Sequence, residues 1–531
     1  MGWSDRGWIG RLLLAAAAGG LAMWGLPPEP SPWPTVIGLA VWLRVLEGVV
    51  ATGRRAWLGL AFGLGHFVPG LIWLWTSLHI YGKLPGVVAG LMIFGLAAIL
   101  SGYTAGFAIV LPRLAPGYGV LPLAAAALWV VGEWLRAHLF SGFPWNLIGY
   151  VWDGADPLVQ IADLGGVYLL SGLTFFLAGV VAVVTRPATW QYNRQAGMAW
   201  LLVSGVVVGA GWSYGQGRLQ ELASVGSGQP LRVAMVQGNI AQDVKWDPAR
   251  QKEWLNRYLD LSAALEQGVE LVVWPETAAA FFLQFTPKSL ENIVEISRGL
   301  RAPILTGAPM AMRDEKQEWQ YFNSMVLIHA DEIGDFVHRY DKHHLVPFGE
   351  YIPFRSVVPA SMQKLTHGAK DFSAGPGPKI LESEMGALGP LICYEVIFPD
   401  EVRELARQKA RWLVNATNDG WFGESAKPQH LAMARMRAVE NRLPMIRVAN
   451  SGISAAFDHL GRELGRIPSN AQGSLVVMVP EGPGESFWSR FGHLGIWVWS
   501  GLCLVVWGAG RIFLSVRWPE VQDHPILTRR Q

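Results

Sequence analysis

Cysteine is almost missing from this chain: 531 residues hold two, Cys393 and Cys503. That count excludes a small domain stapled by disulfides. Charge is scarce as well. Asp, Glu, Lys and Arg make up 16% of the residues and the formal net charge is +2, which argues against a nucleic-acid partner. No clear internal repeat of the transporter kind is visible either. What is abundant is apolar surface. The chain is 51% hydrophobic and carries 26 Trp, too greasy for an ordinary soluble protein of several domains.

The apolar residues are gathered into runs. Crossing a bilayer takes roughly 20 residues, and runs of about that length cover 8–26, 34–53, 56–80, 86–112, 118–138, 165–185 and 196–214, with one more at 493–514. From about 226 to 482 the composition is that of a normal globular protein, in a stretch long enough to bury a core of its own. The expected organisation is a seven-span membrane domain over 1–220, a globular domain over 226–482, an eighth span over 490–516 and a short tail over 517–531.

Basic residues in short loops set the orientation. Arg6 and Arg11 flank the first run, Arg54 and Arg55 separate the second and third, Arg113 follows the fourth, and Arg186 and Arg194 lie between the sixth and seventh. The alternate loops are poor in basic residues, with Lys83 alone in one of them. These patterns predict cytoplasmic termini, the tail with Arg517, Arg529 and Arg530 included, and a globular domain on the outer side. The first run, "LLLAAAAGGLA", also resembles a secretory h-region. Retention as a span is the preferred reading, and cleavage would not change the side on which the globular domain lies.

An exported domain with one cysteine can make no internal bridge. Cys393 is then either a buried small hydrophobe or a working thiol. The 226–482 region alternates short runs rich in Val, Ile and Leu with helix-like stretches at 248–267, 288–300, 399–409 and 427–442. The strand-like runs are "LRVAMVQGNI", "VELVVWPET", "APILTGAP", "SMVLIHA", "GPLICYE", "ARWLVNATND", "MIRVANSG" and "GSLVVMV". This is the pattern of a layered α/β domain, whose functional groups collect at strand ends. Three such ends carry an acid, an amine and a thiol: Glu276, Lys342 and Cys393. Each has a plain structural alternative: a helix cap, a solvated lysine, a core filler. Together they supply thiol acyl transfer, in which the acid takes the thiol proton, the thiolate attacks a carbonyl and the ammonium stabilises the oxyanion.

The motifs "VVWPETA", "YDKHHLVPFGEYIPF", "ICYEVIFPD" and "NATNDGWFG" resemble those of the carbon-nitrogen hydrolase (nitrilase) superfamily, with its Glu-Lys-Cys triad on an α-β-β-α sandwich. A nitrilase-like domain between seven spans and an eighth, together with "SGFPWNLIGY" and "VAMVQGNIAQDVKWD", resembles the bacterial apolipoprotein N-acyltransferase family over nearly the whole chain. The resemblance implies Glu276 as general base, Lys342 as oxyanion-stabilising cation and Cys393 as nucleophile. Glu350 would be a further acid supporting the triad, with Tyr394 and Glu395 beside the nucleophile and the Tyr394 N–H as an oxyanion donor. It also implies a phospholipid acyl donor, a diacylglyceryl apolipoprotein acceptor, a Cys thioester intermediate, no cofactor, and residence in the bacterial inner membrane with the catalytic domain periplasmic. One complete triad in one domain asks for no partner subunit, so a monomer is expected.

Trp246, Trp421 and Phe422 fall in loops, where they would line an acyl groove or form a lid, or simply pack. Within the spans, Arg44 and Glu47, and Glu133 and Arg136, each share a helix face. Pairing inside the bundle is the expected role, and headgroup binding the alternative. His343 and His344 flank Lys342 without an ordered ligand spacing, so no metal is expected. Two rival functions remain: a membrane-tethered amidase or nitrilase hydrolase with water as acceptor, and a transporter or sensor whose outer domain only binds.

Overall fold

A computed structural model of the chain describes residues 5–115, 119–154, 156–222, 229–330, 336, 338–353, 371–498, 500–502 and 505. The N-terminal part is helical: α1 (Asp5–Trp24), α2 (Pro32–Leu46), α3 (Thr52–Gly70), α4 (Gly86–Leu114), α5 (Leu121–His138), α6 (Ala162–Val184), the short α7 (Pro187–Tyr192) and α8 (Arg194–Leu222). Seven of these lie on the seven apolar runs. By length and composition, the helical stretches Gly7–Trp24, Gly86–Leu114, Leu158–Val184 and Arg194–Glu221 are able to cross a membrane. Two runs are broken more than their composition suggested. The second run ends its helix at Leu46, where Arg44 and Arg186 both bind Glu47, at 2.6 and 2.7 Å, and Gly48 takes a φ of +72°. The third run is split: α3 closes just after Pro69, and a π-helical turn follows over Thr76–Tyr81. The expected eighth span, 493–514, lies largely outside the described residues, as does the 517–531 tail.

Beyond Leu231 the chain forms two sheets. Strands β1 (Leu231–Gln237), β2 (Leu271–Val273), β3 (Ile304–Arg313), β4 (Trp319–Ile328) and β5 (Arg339–Asp341) form one sheet, with helices α9 (Gln251–Ala263) and α10 (Pro287–Leu300) between them. Next come β6 (Leu388–Ile392), α11 (Pro399–Arg407), β7 (Trp412–Thr417), α12 (Ala426–Asn441), β8 (Met445–Ala449), β9 (Ser454–Phe457), β10 (Glu463–Ile467), β11 (Gly473–Val479) and α13 (Phe487–Phe491). The sheet orders are β11-β1-β2-β3-β4-β5 and β10-β9-β8-β7-β6. The β1-β2-β3 and β6-β7-β8 neighbours pair in parallel. Every strand expected from the sequence is present; β5, β9 and β10 were not expected, and β5 has only three residues to carry a pattern.

Alternation along the strands builds the layers. Val233 and Met235 of β1, and Leu271 and Val273 of β2, point into a core shared with Leu388, Ile392, Val414 and Ile446 of the opposite sheet. Ala234, Val236 and Val272 point outward, under Trp254, Tyr258 and Ile293 of α9 and α10. The result is the expected α-β-β-α sandwich. Its second outer layer is covered in turn: α11 and α12 share a core with Trp145, Tyr150, Trp152 and Tyr168 of the N-terminal helical part.

That junction is also held by buried charge. Arg442 binds Asp163 at 2.7 Å, and Glu440 accepts the Val167 N–H at 2.7 Å. Trp145 donates to Gln429 at 2.7 Å and Arg437 to the Tyr150 hydroxyl at 2.9 Å. Glu133 and Arg136, expected to pair with each other, form no mutual ion pair. Glu133 instead accepts from Trp129 at 3.0 Å and the Ile148 N–H at 2.9 Å, while Arg136 donates to the carbonyls of Phe143 and Trp145. Both brace the "SGFPWNLIGY" loop on which α12 rests, because a buried carbonyl needs a donor as much as a carboxylate needs a cation.

Candidate active site

Three strand ends of the sandwich converge. Glu276 follows β2 by three residues, Lys342 directly follows β5, and Cys393 directly follows β6. The Glu276 turn lies so close to β3 that a Cβ at Gly307 would meet the Thr277 nitrogen at 2.4 Å and the Glu276 Cα at 2.7 Å. Thr277 itself has a φ of +47° and Cys393 a φ of +52°, both in the left-handed region that ordinary residues avoid. Strain of this kind persists only where the surroundings enforce it. At Cys393 the strand breaks sharply into a 3₁₀ turn, Cys393–Ile397.

The cation is enclosed by acids. Lys342 is 1% exposed, and its Nζ lies 2.9 and 3.0 Å from the two Glu350 oxygens and 3.8 Å from Glu276 Oε1. Burial pushes the Lys342 amine down, but Glu350 and Glu276 outweigh it and hold the group well above the usual lysine range. Asn323 ties the two acids together, donating to Glu276 Oε1 at 2.8 Å and to Glu350 Oε1 at 2.9 Å. Glu276 Oε2 is buried and has no hydrogen-bond partner among the described residues. That leaves one carboxylate oxygen available to a proton.

Cys393 is 5% exposed. Burial and then the charge of Glu276 push its thiol up, and Lys342 and the Thr417 hydroxyl act against them. A thiol raised in this way suits a nucleophile that is deprotonated only when a base and an ester are both in place.

Glu395 has a different place from an oxyanion donor. Its Oε1 accepts from the Tyr340 hydroxyl at 2.7 Å and from the N–H groups of His343 and His344 at 2.7 and 3.2 Å, while Oε2 accepts from the Ile392 N–H at 2.7 Å. It fastens the Lys342 loop to the turn that carries Cys393. Burial, and next Glu401, raise its carboxyl to about 7. The Tyr394 ring is buried near those of His344 and Phe398.

Of the aromatic candidates, Trp421 and Phe422 turn to the N-terminal helical part. The Trp421 carbonyl accepts from Ser77 at 2.6 Å and its ring meets Tyr81 at 5.7 Å; Phe422 meets Trp73, Trp145 and His430 at 4.9 to 5.9 Å. Trp246 is half-buried in the loop before α9.

Two features escaped the sequence reading. Lys245, next to Trp246, is fully buried and donates to the Glu276 carbonyl at 2.9 Å. Burial lowers its amine to about 8, against the charges of Glu276 and Cys393. Its signal was present inside "VAMVQGNIAQDVKWD", but a lysine in a polar loop reads as solvated until its burial is known. The second is a chain of buried groups under the thiol. His430 hydrogen bonds to the Cys393 carbonyl at 3.2 Å and to Asp419 at 3.1 Å, and Arg447 binds Asp419 at 2.6 Å.

The carbon-nitrogen hydrolase profile matches residues 232–482, and the apolipoprotein N-acyltransferase N-terminal domain profile matches 18–180. An apolipoprotein N-acyltransferase of Geobacter metallireducens is 36% identical over 483 residues, 88% of this chain and 89% of that protein. The chain belongs to the apolipoprotein N-acyltransferase family. Members from Pseudomonas paraeruginosa and Vibrio parahaemolyticus are 34% and 30% identical, over 90% and 89% of this chain and 91% and 92% of theirs. Within that family this chain is a membrane protein and an acyltransferase, with a nitrilase-type sandwich.

Proposed function

We propose that the chain moves an acyl group from a membrane phospholipid, through a thioester on Cys393, to the α-amino group of the N-terminal diacylglyceryl-cysteine of an apolipoprotein. The observation that carries this is the arrangement at the buried acids. Lys342 is neutralised mainly by Glu350, and Glu276 keeps one oxygen unpaired. In the first step Glu276 takes the Sγ proton and Sγ attacks the ester carbonyl. The oxyanion gathers charge against Lys342 and the Tyr394 N–H. The C–O bond then breaks, Glu276 returns the proton to the departing lysophospholipid hydroxyl, and the acyl group remains on sulfur. In the second step the acceptor amine attacks the thioester carbonyl, the C–S bond breaks, and the proton lost by the amine restores the thiol through Glu276.

A thioester reacts readily with an amine and must be kept from water. The union of α11 and α12 with the helical membrane part supports such shielding. Orientation follows from the arginine-rich alternate loops: a sandwich on the periplasmic face of the inner membrane, with both termini cytoplasmic. A single triad in a single sandwich supports a monomer.

Intact-mass analysis after incubation with phospholipid tests this reading. The native chain is expected to gain one acyl group, which a diacylated lipopeptide amine discharges, while Cys393→Ala gains none. Release of lysophospholipid with no adduct at any time, also when Glu276→Gln slows the discharge, would mean hydrolysis. No lipid turnover at all would leave a binding protein.

A further inference from the structure

Outside the triad, three side chains from remote parts of the chain meet at the junction of membrane part and sandwich: His138, the last residue of α5; Asp400, the second residue of α11; and His493, just past α13. His138 Nε2 lies 3.1 Å from Asp400 Oδ2, and His493 Nε2 lies 2.8 and 3.0 Å from Asp400 Oδ1 and Oδ2. All the donor atoms fall within 4.8 Å of one another. We propose that this cluster is a divalent metal site, with zinc as its cation.

The convergence of the donor atoms carries the argument. His138 Nδ1 sits 2.8 Å from the Trp134 carbonyl, so its hydrogen is committed there. Nε2 is thereby left to face the carboxylate, either as the second N–H of an imidazolium or as the lone pair of a ligand to a shared cation. His493 aims its own Nε2 at the same carboxylate. Two imidazole nitrogens and one carboxylate are the donor set that zinc takes with a fourth position left open. Magnesium and calcium, which want oxygen ligands, are poorly served. An imidazole that donates its other N–H to a backbone carbonyl is the usual support of a metal ligand.

The rings are also held in place before any ion arrives. Trp134 stacks on His138 at 4.5 Å, and Trp488, Tyr168 and Trp134 surround His493 at 5.1 to 6.0 Å. His138 and Asp400 line a cavity of about 650 Å³ together with Phe140, His344, Phe398 and Glu401. The open face of the ion therefore has room for water. A bound ion would tie the end of α5 and the chain entering the last apolar run to α11, the helix that begins six residues after the nucleophile. The sequence expectation of no metal considered the neighbours His343 and His344; this cluster joins positions 138, 400 and 493, which no spacing rule connects.

The test uses the full chain in detergent, carrying no histidine tag, equilibrated with zinc and freed of excess by gel filtration. Elemental analysis is expected to return about one zinc per chain. In His138→Ala and His493→Ala the affinity is expected to fall by more than the roughly 10- to 100-fold typical of losing an outer-shell partner, while His344→Ala keeps its zinc. Cobalt loaded into the native chain provides a reading that needs no variant. Intense visible bands of a four-coordinate ion are expected, whereas the weak bands of the hydrated ion would overturn the site. Zinc content in the native chain equal to that of the two alanine variants would also overturn it and leave a proton-bridged clasp. None of these readouts depends on the proposed transfer activity.

Discussion

Replacing Lys245 by Met puts the buried amine beside the candidate site to a quantitative test. The ammonium is fully buried and donates to the Glu276 carbonyl at 2.9 Å. Lowering its pKa from 10.5 to about 8 corresponds to roughly 3 kcal/mol of cost for keeping the charge inside the fold. Methionine removes that cost and conserves most of the volume, but leaves the Glu276 carbonyl without its donor, a loss of about 1–3 kcal/mol. The two contributions are of similar size, so the stability of the variant at pH 7 is expected to stay near that of the native chain. Activity is not compensated in this way. A charge-assisted hydrogen bond worth about 1.5–3 kcal/mol that positions the base is expected to cost about 10- to 100-fold in kcat/KM when lost.

The pH dependence follows with a defined sign. The unfolded chain holds the Lys245 proton up to 10.5 and the folded chain releases it at about 8, so between those values the unfolded state binds more protons and stability rises with pH. Below about 8 the full cost of the buried charge is present. Acyl transfer, by contrast, should decline above about pH 8 as the ammonium is lost, and the Met variant should lack that decline. The assay is acyl transfer from phospholipid to a diacylated lipopeptide across pH 6 to 10, with thermal unfolding in detergent on the same samples. A variant with native rate and the same alkaline decline would refute the reasoning, and a variant that loses rate and melting temperature together would reduce Lys245 to a packing role.

Three further outcomes are expected. Glu350→Gln leaves Lys342 with Glu276 as its nearest acid, at 3.8 Å; drawing the base onto the cation should lower kcat by about 100- to 1000-fold, the scale of losing one oxyanion donor, with little change in KM, as steady-state kinetics will show. Arg442→Met strands the buried Asp163 carboxylate, whose other ionic partner, Arg218, is 3.0 Å away and partly exposed; thermal unfolding should register a loss of about 3–5 kcal/mol. Phe422→Ala removes ring contacts to Trp73, Trp145 and His430, so melting temperature should fall while KM for phospholipid holds; a raised KM with unchanged stability would instead make Phe422 a substrate contact.

Local patterns in the amino-acid sequence determined the layered α/β domain and the helical character of the N-terminal part, while the α-β-β-α sandwich and the enzyme class came from the resemblance of its motifs to a known family. Alternation along β1 and β2 decides which side chains enter the core between the sheets, and long apolar runs decide where helices form. The residues at strand ends were legible for the same reason, since a strand that stops at "PLIC" or "LVVWPE" presents its last polar group at the sheet edge. Only the tertiary structure decided what surrounds them. Lys245 reads as a solvated lysine until α9 and the Glu276 turn bury it, and Glu395 becomes a four-donor bracket only when the Lys342 loop lies against the Cys393 turn. Glu133 and Arg136, a natural pair on one helix face, serve the 143–148 loop instead, because a loop packed under α12 exposes backbone groups that need partners more than the two charges need each other. Trp421 and Phe422 dock on the N-terminal helical part, and His138, Asp400 and His493 meet across more than 350 residues of chain. Local periodicity determines which face of an element is buried, whereas the partner waiting there is supplied by distant segments, and no spacing within a segment encodes it.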